Sequence, residues 1–294
     1  MSDFVISEVK KKLATKEDFR KAEKGTRSEV YLSDSFAVKI NKNITMLKNE
    51  SDVLKSLDLN IAPAFVDFYK IKDFGVLVEK RLEGEAIDDV WKNIDITAKD
   101  KIVDDIAENI YKINQHKKNY FWIAQYDFKF KTYGELLFYK FKLYQKIIFN
   151  NKLSHRLFLE VSNNIKEENV DKIFSKIQPT LLHGDLIMHN LLTDLKQLTG
   201  ILDWEYAQYG DPFYDLARVI YYQECAKAYI NENRDEHFEY DFTTRLTKKL
   251  SQDINLDFEK YKIIRSFFFI DAIIWALDST DSEKHLFELQ PPKF

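Results

Sequence analysis

The sequence predicts an α+β protein of two lobes: a small β-rich N-terminal lobe over residues 1–80 and a larger, mainly helical lobe over residues 85–294. A hinge at residues 81–84 joins them. Three observations predict this. The first eighty residues hold four short runs rich in β-branched and aromatic residues around one helical stretch. Beyond Gly84 the apolar spacing becomes that of long helices. The composition, 45% hydrophobic with seven Gly and five Pro among 294 residues, supplies a large core and too few breakers for a linker-rich or disordered chain.

In chain order, Glu29 to Leu32 and Phe36 to Ile40 read as strands of a hairpin, separated by Ser33-Asp34-Ser35. Ile44 to Leu57 has helical spacing, with Met46, Leu47, Val53, Leu54 and Leu57 on one face. Phe65 to Tyr69 and Gly75 to Lys80 read as two more strands around Lys72-Asp73. Helices are expected over about 98–116, 133–165, 213–230 and 257–279. Three short apolar runs interrupt them, at Thr180 to Leu182, Leu191-Leu192 and Gly200 to Leu202, each beside a polar loop. The aromatic-rich stretch from Tyr120 to Phe158 has the spacing of a buried helix, so it reads as core rather than as a stacking platform.

Composition also excludes. No apolar run reaches the ~18 residues that span a bilayer, since Ile263 to Leu277 is interrupted by Arg265 and Asp271. The first twelve residues lack the apolar core of a secretory signal. A single cysteine, Cys225, rules out internal disulfides and Cys-based zinc clusters, which suits a reducing cytoplasm. A net charge of −4 without a basic stripe argues against a nucleic-acid partner. Neither a membrane nor an obligate protein partner is expected. The charge is uneven, however. Asp203 to Phe294 carries 18 acidic and 11 basic residues, a net of −7, whereas residues 1–202 carry a net of +3. That imbalance suits a C-terminal part that attracts a cationic small molecule.

The strongest chemical signal is Leu181-Leu182-His183-Gly184-Asp185, then Asn190, then Ile201-Leu202-Asp203-Trp204. Two apolar strands each deliver a carboxylate at a polar end, with an amide between them in sequence. A lone Asp at a strand end is usually a turn or helix cap. The full spacing, however, is what phosphoryl transfer needs: one carboxylate to orient a hydroxyl, and an amide with a second carboxylate to hold Mg²⁺ against phosphates. In the first lobe, alternation places Lys39 opposite Phe36, Val38 and Ile40, where a strand lysine can meet phosphates. Glu50 falls on the apolar stripe of its helix, and a carboxylate there needs a partner, of which Lys39 is the obvious one.

These residues resemble the aminoglycoside phosphotransferase/choline kinase family, whose fold is similar to that of protein kinases. The resemblance is specific in LLHGDLIMHNLL and GILDWEYAQYGDPFYDLA. It implies a two-lobed, protein-kinase-like fold in which Asp185 is the catalytic carboxylate and Asn190 and Asp203 are metal ligands. It implies that Asp215 braces the catalytic loop. It makes Gly25 to Val30 a phosphate-covering turn, with Ser28 near the phosphates and Val30 over the base. It also makes Val78 to Gly84 the segment, including Lys80 and Leu82, whose backbone meets adenine or guanine. The implied co-substrate is ATP or GTP with Mg²⁺.

Departures narrow the class. Trp204-Glu205 stands where protein kinases have Phe-Gly, Gly184 stands where they carry the arginine of His-Arg-Asp, and Asp203 to Asp215 is too short for an activation segment. The expected activity is therefore γ-phosphoryl transfer to a hydroxyl of a small cationic acceptor of the aminoglycoside antibiotic type. A choline-like or other metabolite kinase is the alternative, and a nucleotide-binding protein without turnover is a second class. For the acceptor, Asp271, Trp275 and Asp278 share one helical face, and with Glu205 they are the expected ammonium contacts, Trp275 offering a cation–π surface.

Overall fold

The computed structural model describes residues 2–22, 28–149, 151–163, 165–231, 237–278, 285–286 and 289. The chain folds into two compact units. One comprises Met1–Ile102, Ile123–Asp127 and Met188–Ala207, and the other Val103–Trp122, Phe128–Ile187 and Gln208–Phe294. This differs from the expected division at residues 81–84. The hairpin of Leu191–Thr193 and Leu198–Ile201 falls in the first unit, because it pairs with the strand just after Gly84 and its Ile201 N–H donates to Ile61 O at 2.7 Å.

The first unit opens with helix α1 (Ser2–Leu13) and a five-stranded antiparallel sheet. Its strands are β1 (Arg20–Lys21), β2 (Glu29–Leu32), β3 (Phe36–Asn41), β4 (Phe65–Ile71) and β5 (Phe74–Lys80), in the order β1-β2-β3-β5-β4. Helix α2 (Ile44–Ser56) follows β3. The expected hairpin at Ser33-Asp34-Ser35 forms, and Ser33 N–H donates to Phe36 O at 2.9 Å. Lys72 turns the β4–β5 hairpin at φ 53°. Val38, Ile40, Val76 and Val78 point to one face of the sheet and pack against Val5, Ile6 and Val9 of α1. Lys39 is thereby turned to the opposite face. Helix α1 was not legible in the sequence, because its apolar residues Phe4, Val5, Ile6, Val9 and Leu13 span too few turns to set a clear period.

On that opposite side α2 starts at Asn43, whose side chain accepts the Met46 N–H at 3.1 Å. Its buried stripe of Met46, Leu47, Val53 and Leu54 also carries Glu50, which is fully buried. After β5 come β6 (Glu85–Ala86) and the single turn α3 (Ile87–Val90). Gly84 between β5 and β6 sits at φ 129°, and a Cβ there would run into the Thr199 hydroxyl, so only glycine fits.

The chain passes into the second unit within α4 (Ile96–Ile113). Helices α5 (Tyr133–Ile148), α6 (Lys152–Ser162), α7 (Glu167–Ile173), α8 (Phe213–Asn231), α9 (His237–Leu250) and α10 (Phe258–Asp278) follow. The single helix expected over 133–165 is two. Asn151 accepts the N–H groups of Leu153 and Ser154 at 2.9 and 3.1 Å, and so starts α6 as a new helix. Tyr133, Leu136, Leu137, Phe141, Tyr144 and Phe158 are buried, as a core reading of the aromatic stretch requires. Thr180–Leu182 pairs antiparallel with Gln208–Gly210, which sets the chain at His183 beside the start of α8. Among the described residues, no helix is long and apolar enough to cross a membrane.

Candidate active site

In the first unit, strand β3, helix α2 and the end of the Leu198–Ile201 strand converge on one lysine. Lys39 makes an ion pair with Glu50 and lies 3.2 Å from Asp203 Oδ1. Glu50 also accepts the backbone N–H of Trp204 at 3.2 Å, which ties α2 to the residue following Asp203. Burial disfavours the Lys39 ammonium, but Glu50, Glu79 and Asp203 together outweigh it and hold the lysine protonated. Burial lifts the Glu50 carboxyl, with Lys39 pulling the other way.

Asp203 adopts φ 65° and ψ 69°, a left-handed backbone that non-glycine residues rarely take and that Asp tolerates better than most. Its side chain is 42% exposed, the one acid of this group that solvent reaches freely. Asn190 is close in backbone terms, because Leu202 N–H donates to its carbonyl at 2.7 Å. The backbone segments that carry two hard oxygen donors, the Asn190 amide and the Asp203 carboxylate, are thus joined by a hydrogen bond. Mg²⁺ usually takes one or two protein oxygens and leaves its other positions to water and phosphates, so this donor set suits it.

Sequence reasoning missed a third acid. Glu79, on β5, lies on the same sheet face as Lys39, is 3% exposed, and has one carboxylate oxygen with no hydrogen-bond partner among the described residues. Burial pushes its carboxyl up to about 8; Lys39 opposes this, while Glu50 and Asp203 add to it. The signal for it was present: the alternation that exposes Lys39 to one face puts Glu79 there too, through the pairing of Ala37 with Glu79.

The other expected nucleotide contacts lie in the same unit. Ser28 Oγ accepts from Asn41 Nδ2 at 3.0 Å, and Val30 pairs with Lys39 across β2 and β3. Gly25 to Arg27 lie outside the described residues. The Lys80 N–H is already donated to Ala64 O at 2.8 Å, so that residue can offer a base only its carbonyl. Leu82 packs next to Gly200. His189 Nδ1 approaches Asp88 at 3.4 Å on an exposed side chain.

In the second unit, the His-Gly-Asp turn is held from α8. Asp215, fully buried, accepts the backbone N–H groups of His183 and Gly184 at 3.0 and 2.8 Å. Burial pushes the Asp215 carboxyl up, against His183 and these two N–H groups. Gly184 turns at φ 84°, a conformation glycine adopts without strain. Asp185 follows, 9% exposed, and its Oδ1 accepts from Arg218 Nη2 at 2.6 Å and Nε at 3.0 Å. Arg218 is the second residue at the candidate site that sequence reasoning missed.

The expected acceptor contacts do not gather. Asp271 is turned inward, with Lys140 Nζ at 3.1 Å and Tyr144 Oη at 2.5 Å, so its charge is matched inside the unit by a lysine only 3% exposed. Trp275 is 47% exposed and lies against His285. Asp278 ends α10 and its side chain lies outside the described residues. Glu205, in the first unit, is buried.

The chain is similar to known proteins in sequence and in fold. Residues 70–245 match the model of a family described as "phosphotransferase enzyme family". Protein LicA of Haemophilus influenzae is 25% identical over 183 residues, which is 61% of this chain and 48% of LicA, so the match spans about half the length of that relative. Among solved structures, aminoglycoside phosphotransferase APH(4)-Ia in ternary complex with AMP-PNP and hygromycin B aligns with a TM-score of 0.69 and 13% identity, covering 95% of this chain and 94% of that one. ADP-bound APH(2'')-Ib aligns at 0.66 and 19%, covering 98% and 96%. The gentamicin complex of APH(2'')-IIa aligns at 0.65 and 17%, covering 97% and 96%. At such identities these structures establish a shared fold, the α+β protein-kinase-like one.

Proposed function

The chain belongs to the phosphotransferase enzyme family, and from that premise we propose that it moves the γ-phosphoryl group of ATP or GTP to a hydroxyl of a small cationic acceptor of the aminoglycoside class. The observation that carries the proposal is the convergence of Lys39, Glu50 and Asp203 within one unit, with Asn190 brought beside Asp203 by a backbone hydrogen bond. Lys39, kept cationic, contacts the α- and β-phosphates, and Glu50 fixes its direction. Ser28 and Val30 line the phosphates and the base, while the Lys80 carbonyl and the Leu82 N–H offer an acceptor and a donor to the base edge. Asn190 and Asp203 would hold Mg²⁺, which neutralises charge on the transferring phosphoryl group. Lys39 would remain held by Glu50 where Asp203 serves as a metal ligand. Asp185 accepts a hydrogen bond from the acceptor's hydroxyl, orients its oxygen for attack and takes its proton as the new P–O bond forms and the bond from the γ-phosphorus to the bridging oxygen breaks, releasing the nucleoside diphosphate. A single cysteine suits a reducing compartment and supports a cytoplasmic setting for the reaction.

Solved structures of two proteins of this fold hold such acceptors, APH(4)-Ia with hygromycin B and APH(2'')-IIa with gentamicin or streptomycin, which supports an aminoglycoside acceptor. A second reading, a choline-like or other metabolite acceptor, is favoured by one observation. Asp271 is consumed by Lys140 and Tyr144, which removes one of the carboxylates that a polycationic acceptor would use. A panel of aminoglycosides, hygromycin B and choline, each with Mg·ATP and Mg·GTP, tests the proposal by mass spectrometry of the acceptor. Gain of one phosphoryl group by an aminoglycoside is the expected result, whereas phosphorylation of choline alone would replace the first reading with the second. Failure of Mg·ATP and Mg·GTP to bind at all would remove both.

A further inference from the structure

Two side chains one turn apart on α8 act on successive parts of one loop. Asp215 holds the backbone, accepting the N–H groups of His183 and Gly184. Three residues on, and therefore on the same face of the helix, Arg218 reaches the side chain of Asp185. It does so with two donors on a single carboxylate oxygen, at 2.6 and 3.0 Å, from a side chain only 14% exposed. The guanidinium cannot easily follow a carboxylate that rotates. Its carbon lies 5.0 Å from the Tyr222 ring centre and 4.8 Å from that of Phe268, so two aromatic residues on α8 and α10 clamp it. A buried arginine held by two rings and aimed at one oxygen is a fixed fork, and a fixed fork sets the torsion of whatever it binds.

From this geometry, and on the reading that Asp185 is the catalytic carboxylate, we infer that Arg218 is the positioning residue of the reaction: it locks the rotation of the Asp185 carboxylate toward the attacking hydroxyl. Arg218 supplies no proton and meets no phosphate in this account. It also places a cation beside a carboxylate that is nine-tenths buried, so the pair meets its counter-charge inside the unit. One helix thus sets both the path of the catalytic loop and the direction of its side chain, and a change in either Asp215 or Arg218 acts at Asp185. A lysine could match the charge but not the two-pronged contact, because its ammonium is a point donor on a flexible stem.

A double-mutant cycle tests this on the full chain, with Mg·ATP as substrate and water as acceptor, read as phosphate release. Arg218→Ala should lower kcat by about 10- to 100-fold with the ATP KM unchanged, the range expected when a reacting group is misplaced. In the Asp185→Asn background the same substitution should change the rate by less than about twofold, because a residue that acts through Asp185 has nothing left to position. Arg218→Lys should fall between wild type and Arg218→Ala. If Arg218→Ala does not unfold cooperatively, Arg218→Lys enters the cycle in its place. Equal factors in both backgrounds, a wild-type rate in Arg218→Ala, or a loss expressed in the ATP KM would each overturn the inference. A wild-type rate in Asp185→Asn alone would instead remove the reading of Asp185 on which it rests.

Discussion

Lys39 Nζ and Asp203 Oδ1, 164 positions apart in the chain, lie 3.2 Å from one another. If Asp203 serves Mg²⁺ as proposed, the lysine would hold that carboxylate in position for it, with Glu50 as the partner the lysine keeps. Asp203→Ala and Asn190→Ala should therefore weaken Mg²⁺-dependent nucleotide binding far more than nucleotide binding in EDTA. Calorimetric titration with and without Mg²⁺ reads the difference. Equal affinities in both variants and the wild type under both conditions would count against these two residues as the metal ligands.

Glu79 gives the nucleotide-free protein a pH dependence of a definite sign. A glutamate in the unfolded chain loses its proton near 4.5, whereas burial pushes Glu79 up to about 8 in the folded state. Between those values the folded chain holds a proton that the unfolded chain has released, so stability falls as pH rises through this window. Glu79→Gln should remove that slope. Thermal unfolding should show the variant more stable than wild type at pH 8 and little changed at pH 5. A constant difference across the range would contradict the assignment.

Much of this was legible because the chemistry sits on regular periods. Strand alternation gave Lys39 its face, helical spacing put Glu50 on a buried stripe, and the spacing of Asp185, Asn190 and Asp203 marked the loop. What escaped depends on contacts between elements. Arg218 is unremarkable as one basic residue on α8 until Asp185 is seen at its tip, although its place three residues after Asp215 was a usable signal. Lys140 sits between Tyr139 and Phe141 in an apolar helix, yet only the fold reveals that Asp271 is its partner. The left-handed backbone of Asp203 has no sequence signature at all, since Asp is a common turn residue in any conformation. Helix α9 is polar along much of its length and offered too weak a period to be read.

Asp271 is where the sequence and the structure disagree most directly. Replacing it with alanine leaves Lys140 buried without its counter-ion, and breaking a buried pair in this way costs on the order of 3 kcal/mol. Asp271→Ala should thus appear as a large loss in the midpoint of chemical denaturation. If Asp278 serves the acceptor, Asp278→Asn raises the acceptor KM and leaves the nucleotide KM unchanged. A raised acceptor KM in Asp271→Asn with no loss of stability would restore the first expectation for that residue.

Asp215 offers a test of the loop brace by itself. Its removal orphans two buried N–H groups, each worth roughly 1–3 kcal/mol, and slackens the backbone that carries Asp185. Asp215→Ala should lose stability and turnover together. Hydrogen exchange at His183 and Gly184 should accelerate in the variant, and unchanged protection at those two amides would refute the brace.

The central claim is that Asp185 is the catalytic carboxylate of a phosphotransferase, and Asp185→Asn tests it most directly. The measurement is kcat for Mg·ATP-dependent phosphoryl transfer, alongside nucleotide affinity in the same preparation. Loss of a group that orients the attacking hydroxyl and takes its proton lowers the rate by about 10²- to 10⁴-fold. The account predicts a fall in that range, with nucleotide affinity retained and thermal unfolding still cooperative. Wild-type turnover in Asp185→Asn would contradict it.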